Sequence, residues 1–150
     1  MTDPRFEPTL TWVYTAEVDV GPIRDLGTAR GGQRFIVDIV GGHFEGPLLR
    51  GKVLPGGADR QWLRADGIKE LDALYEMQCD DGAVLTVHNR VCIDNAANEG
   101  RAEGRYARSV VEVSAPDGAH AWLNRRVFVG TLEPLMPARQ AVRIRVFQVD

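Results

Sequence analysis

Residues 71–91 read LDALYEMQCDDGAVLTVHNRV, two runs of alternating apolar and polar residues joined by Asp80-Asp81-Gly82. A three-residue loop ending on glycine suits a hairpin whose last loop residue takes the left-handed conformation, and such a loop sets the register of the strands it joins. Counting outward, Cys79 faces Ala83, Met77 faces Leu85, Tyr75 faces Val87 and Ala73 faces Asn89. One face of the hairpin is then apolar with a single amide on it. On the other face Asp72 stands opposite Arg90, beside Leu74, Glu76, Gln78, Val84, Thr86 and His88. That face is either the solvent side or the lining of a polar lumen, and periodicity does not separate the two.

The same period recurs along the chain. Leu10, Trp12, Tyr14, Ala16, Val18 and Val20 alternate with Thr9, Thr11, Thr15, Glu17 and Asp19, which predicts a long half-buried strand. Further strands are predicted over 34–40, 44–54, 61–64, 71–79, 83–91, 105–114, 121–130 and 141–149, punctuated by GG, PGG, DG, DDG and PDG. No window carries a helical period. Many strands and no helix to cover a sheet imply an all-β fold, and the expectation is an antiparallel closed or nearly closed β-barrel of about eight to ten strands with negligible helix. Pairing the first strand with the last, which ends next to Asp150, would close the sheet and remove its edges. The stretch NAANEGRAEG, 95–104, offers little to pack and is expected to be a mobile loop.

At 150 residues the chain is expected to be one domain, 1–150, with enough length to bury a core. With 44% apolar and 26% charged residues it reads as a soluble globular protein, and no apolar run reaches membrane-spanning length. The opening MTDPRFEPTL has neither a basic start nor an apolar core, so no secretory signal is read and a cytoplasmic location is expected. Net charge is −3 and the arginines do not gather into a stripe, which argues against nucleic acid as a partner. Cys79 and Cys92 have no CxxC spacing and read as two small buried hydrophobes.

GPLLRGKV, residues 46–53, falls one residue short of a phosphate-binding loop: Gly46, Gly51 and Lys52 are in place, but Val53 stands where a magnesium-binding hydroxyl is required. Pro55-Gly56-Gly57 then marks a turn where the motif needs a helix. These glycines read instead as places where a strand bends or another backbone approaches.

The segment GGHFEGPLLRGKVLPGGADRQWLRADGIKELDALYEMQCDDGAVLTVHNR, 41–90, together with AWLNRRVFVG, 121–130, resembles the family labelled domain of unknown function 3237, found in bacteria and fungi. The resemblance covers most of the chain. It implies an antiparallel β-barrel of about this length and no established general activity. Arg60, Leu74 and Val91 depart from the family pattern, which carries Trp, Arg and Gly at those places. A shared pocket using that Trp and Arg would be less cationic here, with Trp62 supplying an aromatic from the same strand face as Arg60.

The chemistry-bearing residues leave two classes of function open. His43 and Glu45 share a strand face as half of a metal site, but His88 and His120 have no comparable local partner, so no metal and no other cofactor is expected. Ser109 and Ser114 are the only serines and neither sits in a GxSxG elbow. Cys79, on the apolar face, is expected to be inert. Acid–base chemistry is the enzyme reading, with Glu45, Asp59, Asp72 and Arg90 as catalytic candidates, Asp66, Arg50 and Arg64 nearby in the same segments, and Asp72 with Arg90 turned toward the lumen. The plainer reading makes Asp59 and Asp66 turn residues and Asp72 with Arg90 a surface pair. Ligand-binding candidates are Trp62, Arg64, Tyr75, Asn89, Trp122 and Asn124, because Asn89 interrupts an apolar face and Trp122 and Asn124 would share one in AWLNRR. The expected function is binding of a small organic molecule in the lumen, with cofactor-independent proton transfer, elimination or isomerisation as the chemistry of a lyase or isomerase. The alternative is a non-catalytic binding or assembly module, and a homo-oligomer is compatible with either.

Overall fold

The computed structural model describes residues 3–95 and 105–150. Most of the expected mobile loop, residues 96–104, lies outside them. Ten strands form one sheet: β1 Leu10–Val20, β2 Arg24–Ala29, β3 Gly32–Glu45, β4 Arg50–Val53, β5 Gly57–Leu63, β6 Ile68–Cys79, β7 Val84–Asp94, β8 Tyr106–Ser114, β9 Phe128–Pro134 and β10 Ala141–Val149. Every pairing is antiparallel. From β6 to β10 each strand pairs with the next, β10 pairs with β1, and β1 returns to β3, which closes the barrel. The β1–β10 pairing is the one expected from the sequence.

β4 and β5 occupy one position between β3 and β6, interrupted at the Pro55-Gly56 turn. β2 is an extra strand on the outer half of β3, so the closed wall has eight strand positions and two additional strands. The described helix is confined to single 3-10 turns at Pro4–Phe6 and Ala121–Arg125.

The hairpin 71–91 forms in the expected register, with Met77 opposite Leu85, Tyr75 opposite Val87, Ala73 opposite Asn89 and Asp72 opposite Arg90. Gly82 supplies the positive φ, +95°, that the loop requires. Its apolar face points inward, because a barrel of this strand number fills its interior with the alternate residues of every strand. β8 shows the rule without interruption, burying Ala107, Ser109, Val111 and Val113 and exposing the residues between.

Three local expectations are corrected, the first being Cys92, which lies exposed on the outward face of β7 where a buried residue was expected. Leu10 and Trp12 lie exposed although they share a period with Tyr14, because a β-bulge between Trp12 and Tyr14 shifts the strand by a residue and turns the chain inward from Val13 onward. Residues 121–125 form a 3-10 turn, and the strand begins only at Phe128. Leu123 of that turn is buried and Trp122 meets Phe128 edge-on, with ring centroids 6.4 Å apart, so the segment plugs the end of the barrel.

Candidate active site

The lumen has two halves. Toward the 80–82 turn it is packed solid by Tyr14, Phe44, Met77, Leu85, Leu123 and Phe128, all buried, with Tyr14 and Phe44 edge to face at 5.9 Å. Toward the other end the side chains thin out, and a cavity of about 320 Å³ opens, walled by Val18, Val37, Leu71, Val91, Ile93 and Ile144 among others. Strand alternation places a small polar set on this apolar wall: Asp59 and Gln61 from β5, Lys69 and Tyr75 from β6, and Asn89 from β7. An apolar pocket with a few convergent polar groups is the usual form of a small-molecule site.

These groups are incompletely paired. Gln61 Nε2 donates to Asp59 Oδ2 at 2.8 Å. Among the described residues, Asp59 Oδ1, Gln61 Oε1, Tyr75 Oη and Asn89 Oδ1 have no hydrogen-bond partner, nor do Tyr14 Oη and Ser109 Oγ in the layer beneath. Asn89 is only 1% exposed. Each orphaned buried polar atom costs on the order of 1–3 kcal/mol until a water or a bound molecule pairs it.

The electrostatics follow from this burial. Desolvation raises the pKa of Asp59 to about 6, against the opposing pull of the Gln61 amide, the Asp72 main chain and the Lys69 ammonium. Burial pushes the Tyr75 hydroxyl up, and the negative charge of Asp59 adds to it. Tyr14 is raised well above the usual phenol range by burial and then by Tyr75. Lys69 is lowered by burial, partly offset by Asp59. At neutral pH the cavity therefore offers a carboxyl poised near the working range, the un-ionised phenol of Tyr75 and the amides of Gln61, Asn89 and Gln140, with the cationic side chains Lys69 and Arg105 also on its wall.

Three of the residues singled out in the sequence, Asp59, Tyr75 and Asn89, meet at this cavity. Gln61, Tyr14, Lys69 and Ser109 were not singled out. The only signal for Gln61 was its place two residues after Asp59 on the same strand face.

The expectation that Asp72 and Arg90 face the lumen is corrected. They are opposite one another as predicted, but on the outer wall, because the apolar residues of the same hairpin take the interior. Asp72 Oδ1 lies 2.6 Å from His88 Nε2, and Arg90 reaches Glu112 at 3.7 Å. Both pairs are exposed, so Asp72→Asn and Arg90→Gln should each shift stability by less than about 1 kcal/mol in urea denaturation.

Glu45 is likewise exposed on the outer wall beside His43. Trp62 and Arg64 lie outside in a groove with Asp72, Glu70, Arg34 and Arg60. The Arg30 guanidinium sits 5.4 Å above the Trp62 ring, and Arg64 pairs with Glu70 at 3.2 Å. The family departures at Arg60 and Leu74 therefore fall on the exterior, and only Val91 touches the cavity. Trp122 and Asn124 do not share a strand face, since they lie on a 3-10 turn. Asn124 accepts from Ala115 N at 2.8 Å and donates to Ala115 O at 2.9 Å, clamping the turn to the end of β8. One set of metal-type donors, Cys79, Asp81 and His120, converges at the packed end, away from the cavity.

Comparison with known proteins agrees with this architecture. A UPF0311 protein of Rhodopseudomonas palustris, RPA1785, is 40% identical over 84 residues, and the match covers 55% of this chain and 55% of that protein. A UPF0311 protein of Clostridium acetobutylicum is 45% identical over 58 residues, 39% of this chain and 37% of that protein. In sequence, the chain thus spans about half the length of the curated relatives it matches. In structure the likeness is fuller. The crystal structure of RPA1785, a conserved protein of unknown function, superposes with a TM-score of 0.85 at 29% identity, covering 96% of this chain and 99% of that one. A beta-barrel like protein from Acinetobacter baumannii gives 0.82 at 26% identity, covering 96% and 97%. An enzyme from Penicillium herquei gives 0.76 at 22% identity over the full length of both chains, which shows a shared fold. The family model for proteins of unknown function DUF3237 matches residues 8–149, the whole barrel with its cavity, and the chain belongs to that family.

Proposed function

We propose that the open half of the barrel binds a small, largely apolar organic molecule and moves a proton on it without a cofactor, with Asp59 as the acid–base group. The observation that supports this is Asp59, the one carboxyl among the described residues that line the apolar cavity, raised to about 6 by burial and with its Oδ1 lacking a hydrogen-bond partner. A carboxylate with a pKa near neutrality both accepts and returns a proton at useful rates. Tyr75 and Asn89, on the neighbouring strands β6 and β7, supply hydrogen bonds to oxygen atoms of a bound molecule. An un-ionised phenol donates to a developing enolate, and an amide offers its NH2 or its oxygen according to its orientation. The hydrophobic walls exclude water and strengthen each of these interactions. Isomerisation or elimination through an enolate-like intermediate fits this set. The Penicillium herquei enzyme brings the fold to this reading and not an activity.

The test is hydrogen–deuterium exchange at the α-carbon of a panel of enolisable aryl ketones small enough for the cavity, followed by proton NMR. The parent protein should accelerate exchange, with a rate that rises through pH about 6 as Asp59 ionises. Asp59→Asn should lose on the order of 100-fold or more. Equal exchange by both proteins, for compounds that demonstrably bind, would leave the second reading, a non-catalytic ligand-binding module, which the orphaned amides and phenols support equally well.

A further inference from the structure

We propose that Cys79, Asp81 and His120 form a zinc-binding site of three protein donors at the packed end of the barrel. The thiol sulfur, a carboxylate oxygen and an imidazole nitrogen all lie within 4.8 Å of one another. They come from the last residue of β6, the middle of the 80–82 turn, and the residue before the 3-10 turn Ala121–Arg125. His120 and Cys79 are buried, while Asp81 faces solvent and leaves a way in.

The site is held by groups other than the metal. Asp81 Oδ1 accepts the Ala83 N–H at 3.0 Å, which leaves Oδ2 to face His120. That oxygen is 2.8 Å from His120 Nε2, a contact that joins two segments 39 residues apart. Gly82, at φ +95°, sets the loop that carries Asp81 beside Cys79. Zinc bonds of about 2.0–2.3 Å in a tetrahedron put neighbouring donors roughly 3.3–3.6 Å apart. The oxygen and nitrogen need to separate by about half an ångström, and the sulfur to close by up to about 1 Å, both within the reach of side-chain rotation.

The donor set selects the metal by its chemistry. One thiolate and one carboxylate neutralise a divalent cation, and mixed sulfur and nitrogen ligation favours zinc over magnesium or calcium. Three protein donors leave a fourth position for water or a ligand. Zinc binds the thiolate of Cys79, whose proton passes to solvent, and accepts the lone pair of an imidazole nitrogen of His120.

The experiment uses the full-length protein, stripped with a chelator and titrated with cobalt(II) as a spectroscopic stand-in for zinc. One equivalent per chain should produce a near-ultraviolet thiolate-to-cobalt charge-transfer band, and zinc should abolish it by displacement. The band should persist in Cys92→Ser, whose thiol is exposed on the outer wall, and vanish in Cys79→Ser and in Asp81→Asn. Asp81 is a surface residue, so Asp81→Asn remains a folded comparison even where Cys79→Ser is not. No thiolate band in the folded parent, or a band lost in Cys92→Ser and kept in Asp81→Asn, overturns the site.

Discussion

Gly51→Ala should cost more than about 3 kcal/mol of stability, the high end of what overpacking does. A Cβ built on Gly51 would lie 1.9 Å from the carbonyl oxygen of Gln78, a backbone atom of β6 that no rotamer change can move. Gly46 is in the same position against the carbonyl of Val13, also at 1.9 Å. These are the two glycines of the near phosphate-binding loop. Their purpose is close backbone approach where β4 crosses β6 and where the chain leaves β3 beside β1, and β4 ends at Val53 in a turn with no helix following. Lys52→Ala, one residue on and exposed, should change stability by no more than about 0.5 kcal/mol. Matching urea midpoints for Gly51→Ala and Lys52→Ala would show that β4 does not approach β6 as closely as described.

Much of the fold was legible because period-two alternation is a direct readout of a wall with one face inside. Strand β10 came out with its expected bounds, 141–149, and the 71–91 hairpin came out in its expected register because loop chemistry pins it. What failed were places where a local irregularity breaks the count. AWLNRR reads like a strand yet turns as a 3-10 segment, since burying Leu123 and setting Trp122 edge-on to Phe128 seals the barrel end. RDLGTA, the strand β2, carries no buried face at all, so nothing in its hydrophobicity announces it.

The site was less legible, for a reason that is geometric. Alternation says which residues share a face and not which face is inside, unless one face is plainly apolar. The hairpin had such a face, and Tyr75 and Asn89 were found from it. Asp72 and Arg90 were drawn to the lumen by their charge, although burying that face would have expelled Ala73, Tyr75, Met77 and Leu85 to solvent. β5 lacks an apolar face, every residue of it being partly buried or exposed, so Asp59 and Gln61 could be placed only once β5 was seen between β3 and β6. His120 had no neighbour in sequence to suggest a role, and its partner Asp81 comes from the β6–β7 turn, 39 residues earlier.

The pH dependence of Asp59→Asn bears on stability and chemistry together. In the unfolded chain an aspartate titrates near 3.9, whereas in the fold Asp59 titrates at about 6. A pKa raised on folding gives a contribution to stability that is complete below about pH 3.9 and is lost as pH rises through 6. Above that, the folded protein holds an ionised carboxylate whose charge is poorly solvated by the apolar wall. Asparagine keeps the acceptor for Gln61 Nε2 and has no charge to desolvate. Asp59→Asn should therefore be more stable than the parent at pH 7.5, by on the order of 3 kcal/mol, and the advantage should shrink toward nothing by pH 4. Urea denaturation of both proteins at intervals between pH 4 and 8 measures this directly. A difference that stays constant across the range would mean that Asp59 is not held near 6, and would remove the support for its acid–base role. The predicted combination, a substitution that stabilises the barrel while abolishing proton exchange, is what distinguishes a residue retained for chemistry from one retained for packing. A packing residue loses stability when replaced, and a surface residue loses neither.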